Sequence, residues 1–99
     1  MRIITRAALR DFWEIHPDSE QALKTWFQVT KIAVWESPDD IRLLYPNAKL
    51  SFLRNNRVIF GICGNKYRLV VKIEYTKKLV FIRFVGTHAE YDKIDATYI

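Results

Sequence analysis

Three runs decide the fold: Arg57-Val58-Ile59-Phe60-Gly61-Ile62, Lys66-Tyr67-Arg68-Leu69-Val70-Val71-Lys72-Ile73-Glu74-Tyr75 and Leu79-Val80-Phe81-Ile82-Arg83-Phe84-Val85. Each is rich in Val, Ile, Tyr and Phe, the residues that fit a pleated, half-buried surface. Gly64-Asn65 lies between the first two and Thr76-Lys77-Lys78 between the last two. Joins that short make an antiparallel meander rather than a crossover fold. On the middle run, alternation sends Tyr67, Leu69, Val71 and Ile73 to one face and Lys66, Arg68, Val70, Lys72 and Glu74 to the other. The apolar set must be the covered one, so the basic set faces outward or into a cleft.

Upstream, the hydrophobic period is near 3.6. Ala8, Leu9, Phe12, Trp13 and Ile15 recur at helical spacing after Thr5, which is placed to cap them. His16-Pro17-Asp18 breaks the pattern, because Pro17 disfavours helical geometry at His16. Asp18 is the expected cap of a second helix running to about Val34, with Ala22, Leu23, Trp26, Phe27, Val29 and Ala33 buried. Ser37-Pro38-Asp39-Asp40 starts a third, Pro38–Tyr45, that ends before Pro46-Asn47. Arg2-Ile3-Ile4 suits a short edge strand. The period changes near residue 50, so the fold class is α+β: N-terminal helices on an antiparallel sheet, as one domain spanning residues 1–99. Thr87-x-x-Glu90 is a capping box, which turns the last strand into a short C-terminal helix.

A chain of 99 residues can bury roughly 60–65% of its unfolded surface without a covalent staple. Half of it is apolar, and glycine and proline number three each, a composition opposed to disorder. The single Cys63 fits a reducing compartment. The chain opens on no signal-like run and contains no apolar stretch of about 20 residues, so a cytoplasmic protein without membrane contact is expected. Charge divides unevenly. Residues 1–48 carry six basic and seven acidic side chains, whereas residues 49–99 carry ten basic and four acidic. A basic half points to a polyanionic partner, either nucleic acid or an acidic protein surface, although a lysine-rich solvated face has the same composition.

Gly86-Thr87-His88-Ala89-Glu90-Tyr91-Asp92 adds proton chemistry. His88 has an ordinary pKa near ~6.5 and Tyr91 near ~10, and they share a helical face three residues apart. Cations beside a His and a Tyr suit a polyanion that is held and then cut; the same segment also serves as plain capping with a surface histidine. His16 is accounted for by its helix end, and Trp13, Trp26 and Trp35 by a core. No paired-carboxylate site, phosphate-binding glycine loop or His-Cys cluster is present. No metal or cofactor is therefore expected, and metal-free catalysis is the enzymatic reading that remains.

The segments Arg57-Val58-Ile59-Phe60, Gly64-Asn65-Lys66-Tyr67-Arg68-Leu69-Val70 and Ile82 to Asp92, with Ser37-Pro38-Asp39-Asp40 and Tyr45-Pro46 before them, resemble the HigB toxins of type II toxin–antitoxin modules. The resemblance covers nearly the whole chain. It implies the RelE-like fold and a ribosome-dependent mRNA interferase acting in the decoding site, next to 16S rRNA. It also implies neutralisation by a HigA-like helix-turn-helix antitoxin, through which alone operator DNA would be met. In that light Arg68, His88, Tyr91 and Lys72 are the candidate catalytic residues, and Arg57, Asn65, Lys66, Arg83 and Lys93 the candidate RNA-binding ones. The family pattern usually has Asn where this chain has Gly61. Two alternatives stand beside it: a non-catalytic RNA- or ribosome-binding module that uses the same basic face, and a gyrase-inhibiting toxin of the ParE branch, which keeps the fold without the RNase residues. His88 and Tyr91 weigh against the second.

Overall fold

The computed structural model describes residues 1–46 and 49–99. Strand β1 (Arg2–Ile4) leads into α1 (Ala7–Ile15), a 3-10 turn (Pro17–Ser19), α2 (Glu20–Ile32) and α3 (Pro38–Arg42). Then follow β2 (Leu50–Phe52), β3 (Arg57–Ile62), β4 (Tyr67–Glu74), β5 (Leu79–Thr87) and α4 (His88–Tyr91). The strands form one sheet in the order β1-β5-β4-β3-β2. This is the expected α+β, RelE-like arrangement of N-terminal helices, sheet and short C-terminal helix.

The sheet is mixed rather than purely antiparallel. The β2–β5 strands pair antiparallel, but β1 joins the β5 edge in parallel, with Arg2 opposite Leu79 and Ile4 opposite Phe81. The helical segment between β1 and the meander is the long crossover that parallel pairing requires. Strand β2 adds a fifth member that the hydrophobic period does not announce, because three residues with a central Ser51 are too few to show alternation.

The helices cover the face carrying Tyr67, Leu69, Val71 and Ile73, all at most 3% exposed. Phe60 centres this core: Trp26 meets it edge-on at 5.5 Å, Tyr45 edge-on at 5.2 Å and Trp35 stacked at 6.3 Å. The opposite face is not left to solvent throughout. Val70 and Ile59 are buried beneath Ala96, with Leu53, Phe84, Tyr91, Ile94 and Ile99 packed around them. Val70 therefore lies in a second, smaller core, and the chain after α4 forms its lid.

Several boundaries differ from expectation for local reasons. The side chain of Thr5 caps nothing; its backbone is left-handed (φ 71°) and its carbonyl accepts from the Ala8 N–H at 3.1 Å. Ser19, not Asp18, precedes α2, and its hydroxyl donates to the His16 carbonyl at 2.7 Å. Helix α2 stops at Ile32 instead of Val34. There the Met1 ammonium donates to the carbonyls of Thr30, Lys31 and Ala33, satisfying groups that a helix C-terminus leaves bare. Helix α3 stops at Arg42, and a turn carries Tyr45 onto Phe60. Asn47, expected just beyond that helix, lies outside the described residues. The Ser37 side chain makes no cap; Asp40 reaches back to the Glu36 N–H at 2.8 Å. Strand β4 begins at Tyr67, leaving Lys66 in the preceding turn. Among the described residues no helix is long and apolar enough to cross a membrane.

Candidate functional site

The register places Gly61 on β3, Arg68 on β4 and Gly86 on β5 directly opposite one another. Arg68 thus sits in a row whose two flanking positions have no side chain. The chain has three glycines, and the third, Gly64, lies in the turn between β3 and β4. That turn is tight: Cys63, Gly64 and Asn65 all take positive φ, at 54°, 60° and 71°. Asn is one of the few residues that accept this conformation without a large penalty.

Asn65 brings the row and α4 together. Its side-chain oxygen lies 3.4 Å from Arg68 Nη1, and its main-chain carbonyl is hydrogen-bonded to His88 Nε2. A carbonyl can only accept, so Nε2 carries a proton and the neutral ring keeps its lone pair on Nδ1. His88 itself is exposed at the first position of α4. The capping box holds that helix in place: the Glu90 N–H donates to Thr87 Oγ1 at 3.2 Å and the Thr87 N–H to Glu90 Oε1 at 2.8 Å. Hydrogen bonds from the Thr87 main chain and hydroxyl hold the Glu90 carboxyl below its usual range.

A second cluster adjoins the same turn. The Asp18 carboxylate accepts from Lys66 Nζ at 2.5 Å and from the Tyr67 hydroxyl at 2.7 Å. Its carbonyl accepts from Cys63 Sγ at 3.2 Å. The Lys66 hydrogen bond first, then that of Tyr67, lowers the Asp18 pKa, and the Asp18 carboxylate raises that of Lys66. His16 stacks on Phe12 at 4.5 Å and tilts against Tyr67 at 5.3 Å, a packing role at the end of α1.

The residues singled out in the sequence therefore divide. Arg68, Asn65 and His88 are brought together. Tyr91 stands three residues after His88, but its ring packs at 6.3 Å from Phe84 as part of the smaller core. Lys72 does not join Arg68. An offset of four positions along the strand sets them about 13 Å apart, buried Val70 lies between, and Lys72 pairs with Glu74 at 3.4 Å. Lys66 does not share the Arg68 face, because it leaves β4 for Asp18. Arg57 is engaged by main chain, donating to the carbonyls of Asn55 at 2.9 Å and Ile99 at 2.5 Å, and so ties down the lid. Arg83 is exposed where the β4–β5 register slips past Val70, stacked 5.3 Å from the Phe81 ring. Lys93 is exposed just beyond α4.

Asp18, Tyr67 and the two flanking glycines are the participants that residue-type reasoning overlooked. Their one sequence signal was the scarcity of glycine, since all three glycines fall in this corner. Among the described residues no three His, Cys, Asp or Glu side chains converge as metal ligands.

Comparison with known proteins places this corner in context. The family model for HigB toxin, described as the RelE-like toxic component of a toxin–antitoxin system, matches residues 19–94. The chain is 29% identical over 98 residues to a protein of Escherichia coli O6:H1 named mRNA interferase HigB, covering 99% of this chain and 95% of that one. It is 26% identical over 98 residues to the mRNA interferase toxin HigB of Escherichia coli K12, covering 99% and 94%.

Proposed function

Because the chain belongs to the HigB toxin family, the RelE-like toxic components of toxin–antitoxin systems, we propose that it is an mRNA interferase. In this reading it acts in the cytoplasm as a single-domain endoribonuclease and cuts messages on the ribosome beside 16S rRNA. A HigA-like helix-turn-helix antitoxin holds it silent. The names of its relatives support message cleavage. The observation that carries the chemistry is Arg68 between two glycines, joined to His88 through one residue, Asn65.

The reaction follows from those groups. RNA cleavage by its own ribose needs the 2′-OH deprotonated, the pentacoordinate phosphorus neutralised and the departing 5′-oxygen protonated. Arg68 is permanently charged and can grip phosphate oxygens in two places. His88 takes the 2′-OH proton at Nδ1 as the 2′-oxygen bonds to phosphorus. The P–O5′ bond breaks, and the 5′-oxygen leaves with a proton from the same imidazolium or from Tyr91. The products are a 2′,3′-cyclic phosphate and a 5′-OH, with no metal in any step. Arg83, Lys93 and Lys72 lie further out, suited to holding RNA along its backbone.

The test is single-turnover cleavage on purified ribosome complexes. Arg68→Ala and His88→Ala should each slow it by at least about a hundredfold with folding intact. Wild-type rates from both would remove this site and leave a module that binds RNA without cutting it.

A further inference from the structure

We propose that Asn65 is a positioning residue for the cleavage reaction, aligning Arg68 through its side-chain amide and His88 through its carbonyl, and that Gly61 lacks a side chain to make room for it. The inference rests on the nuclease reading above and deepens it.

The turn alone does not explain an asparagine. Glycine adopts positive φ at least as readily, and glycine occupies the preceding position at φ 60°. What asparagine adds is the carboxamide, and its location is specific. A Cβ built on Gly61 would lie 1.6 Å from Asn65 Oδ1 and 2.7 Å from Asn65 Cγ. The amide thus fills the space that any side chain at residue 61 would claim. From there the oxygen faces Arg68 Nη1 at 3.4 Å, while the carbonyl of the same residue engages His88 Nε2. One residue is therefore in contact with both groups that the reaction needs. His88 is exposed, and Arg68, only partly buried, carries a long and flexible side chain.

On the opposite flank, a Cβ on Gly86 would meet Phe84 Cζ at 2.5 Å and Glu90 Oε1 at 3.0 Å. That glycine accommodates a ring and the capping carboxylate. On the Gly61 side the filling group is the amide that faces Arg68 Nη1.

The experiment compares Asn65→Gly, Gly61→Ala and the double variant. Asn65→Gly keeps the left-handed turn and the carbonyl but removes the amide; Gly61→Ala leaves the amide in place and drives it out of its seat. Cleavage is measured at saturating toxin on ribosome complexes, alongside affinity and thermal melting. Each single variant should slow cleavage by about tenfold or more, the scale of a misaligned catalytic group. Affinity should change less than about twofold, because phosphate contacts elsewhere dominate binding. The decisive outcome is the double variant, which should be no slower than Asn65→Gly alone, since the collision at residue 61 vanishes with the amide. Wild-type cleavage by Asn65→Gly, or losses that simply multiply in the double variant, would overturn the inference while leaving the nuclease reading intact. A wild-type protein that cuts no message would overturn both.

Discussion

Lys66 Nζ lies 2.5 Å from Asp18 Oδ2, so the turn entering β4 is bonded to the turn entering α2, with both side chains about half exposed at 61% and 48%. The contact gives the protein an acid sensitivity with a definite sign. The Asp18 pKa is lowered in the folded state, chiefly by Lys66 and then by Tyr67. Folded Asp18 therefore binds fewer protons than the unfolded chain near pH ~4, and stability rises with pH there. The contribution is complete above the ordinary carboxylate range and is lost as pH falls through the folded pKa. Thermal melts of Asp18→Asn should accordingly show a shallower acid decline than wild type below pH ~4. Parallel curves would show that the pair is too solvated to matter.

A different charge balance governs RNA binding. The Lys66 ammonium already faces a carboxylate, whereas Arg83 stands exposed over Phe81. Arg83→Ala should reduce the slope of log affinity against log salt by about 0.7, the amount for one single-strand phosphate contact. Lys66→Ala should change it less. Equal effects would mean that RNA displaces Asp18 from Lys66.

In the larger core, Trp26 is 2% exposed and set edge-on to Phe60. Removing its ring empties the centre of an aromatic cluster that cannot readily collapse. Trp26→Ala should cost about 3–5 kcal/mol in urea denaturation; less than about 1 kcal/mol would mean that Trp35 and Tyr45 close the gap.

The lid over the smaller core depends on Arg57, which donates to the Ile99 carbonyl, and on Asn55, whose amide donates to the Thr97 carbonyl at 3.2 Å. Arg57→Ala should release the segment after α4 before anything else. Hydrogen exchange should quicken at the Tyr98 amide, which is bonded to the Asp95 carbonyl at 3.0 Å, while amides of β4 keep their protection. Uniform loss would indicate that the lid and the main core unfold together.

If the proposed chemistry is right, cleavage should survive EDTA under conditions that keep the substrate complex intact, and the 3′ ends should carry a cyclic phosphate. Mass spectrometry of the cut RNA reads this directly. A 5′-phosphate product would point to attack by water instead of by the ribose.

The strands of the meander were legible because they are long enough for a period of two to show, and the helices because Leu9, Leu23 and Trp26 recur at helical spacing. The burial of Val70 was not, since its cover comes from Ala96 and Ile94 in a segment with no period at all. Parallel pairing of Arg2 with Leu79 leaves no local trace either. In the candidate site, alternation put Arg68 on the outer face, yet the same rule misplaced Lys66. An acidic partner far away in sequence, Asp18, is invisible to a pattern read along one strand. The contact between Asn65 and His88 depends on a left-handed turn, which composition permits at Gly64-Asn65 but does not dictate.

The parallel edge also sets a schedule for assembly. Strand β1 precedes every other described element, yet its strand partner among the described residues is β5, with Arg2 opposite Leu79. Such a pairing closes a long loop and belongs among the slow, non-local steps of folding. The row through Arg68 is likewise complete only with Gly86, and His88 follows it. A chain made from its N-terminus therefore displays helices long before it displays the Arg68–His88 surface, which waits for β5.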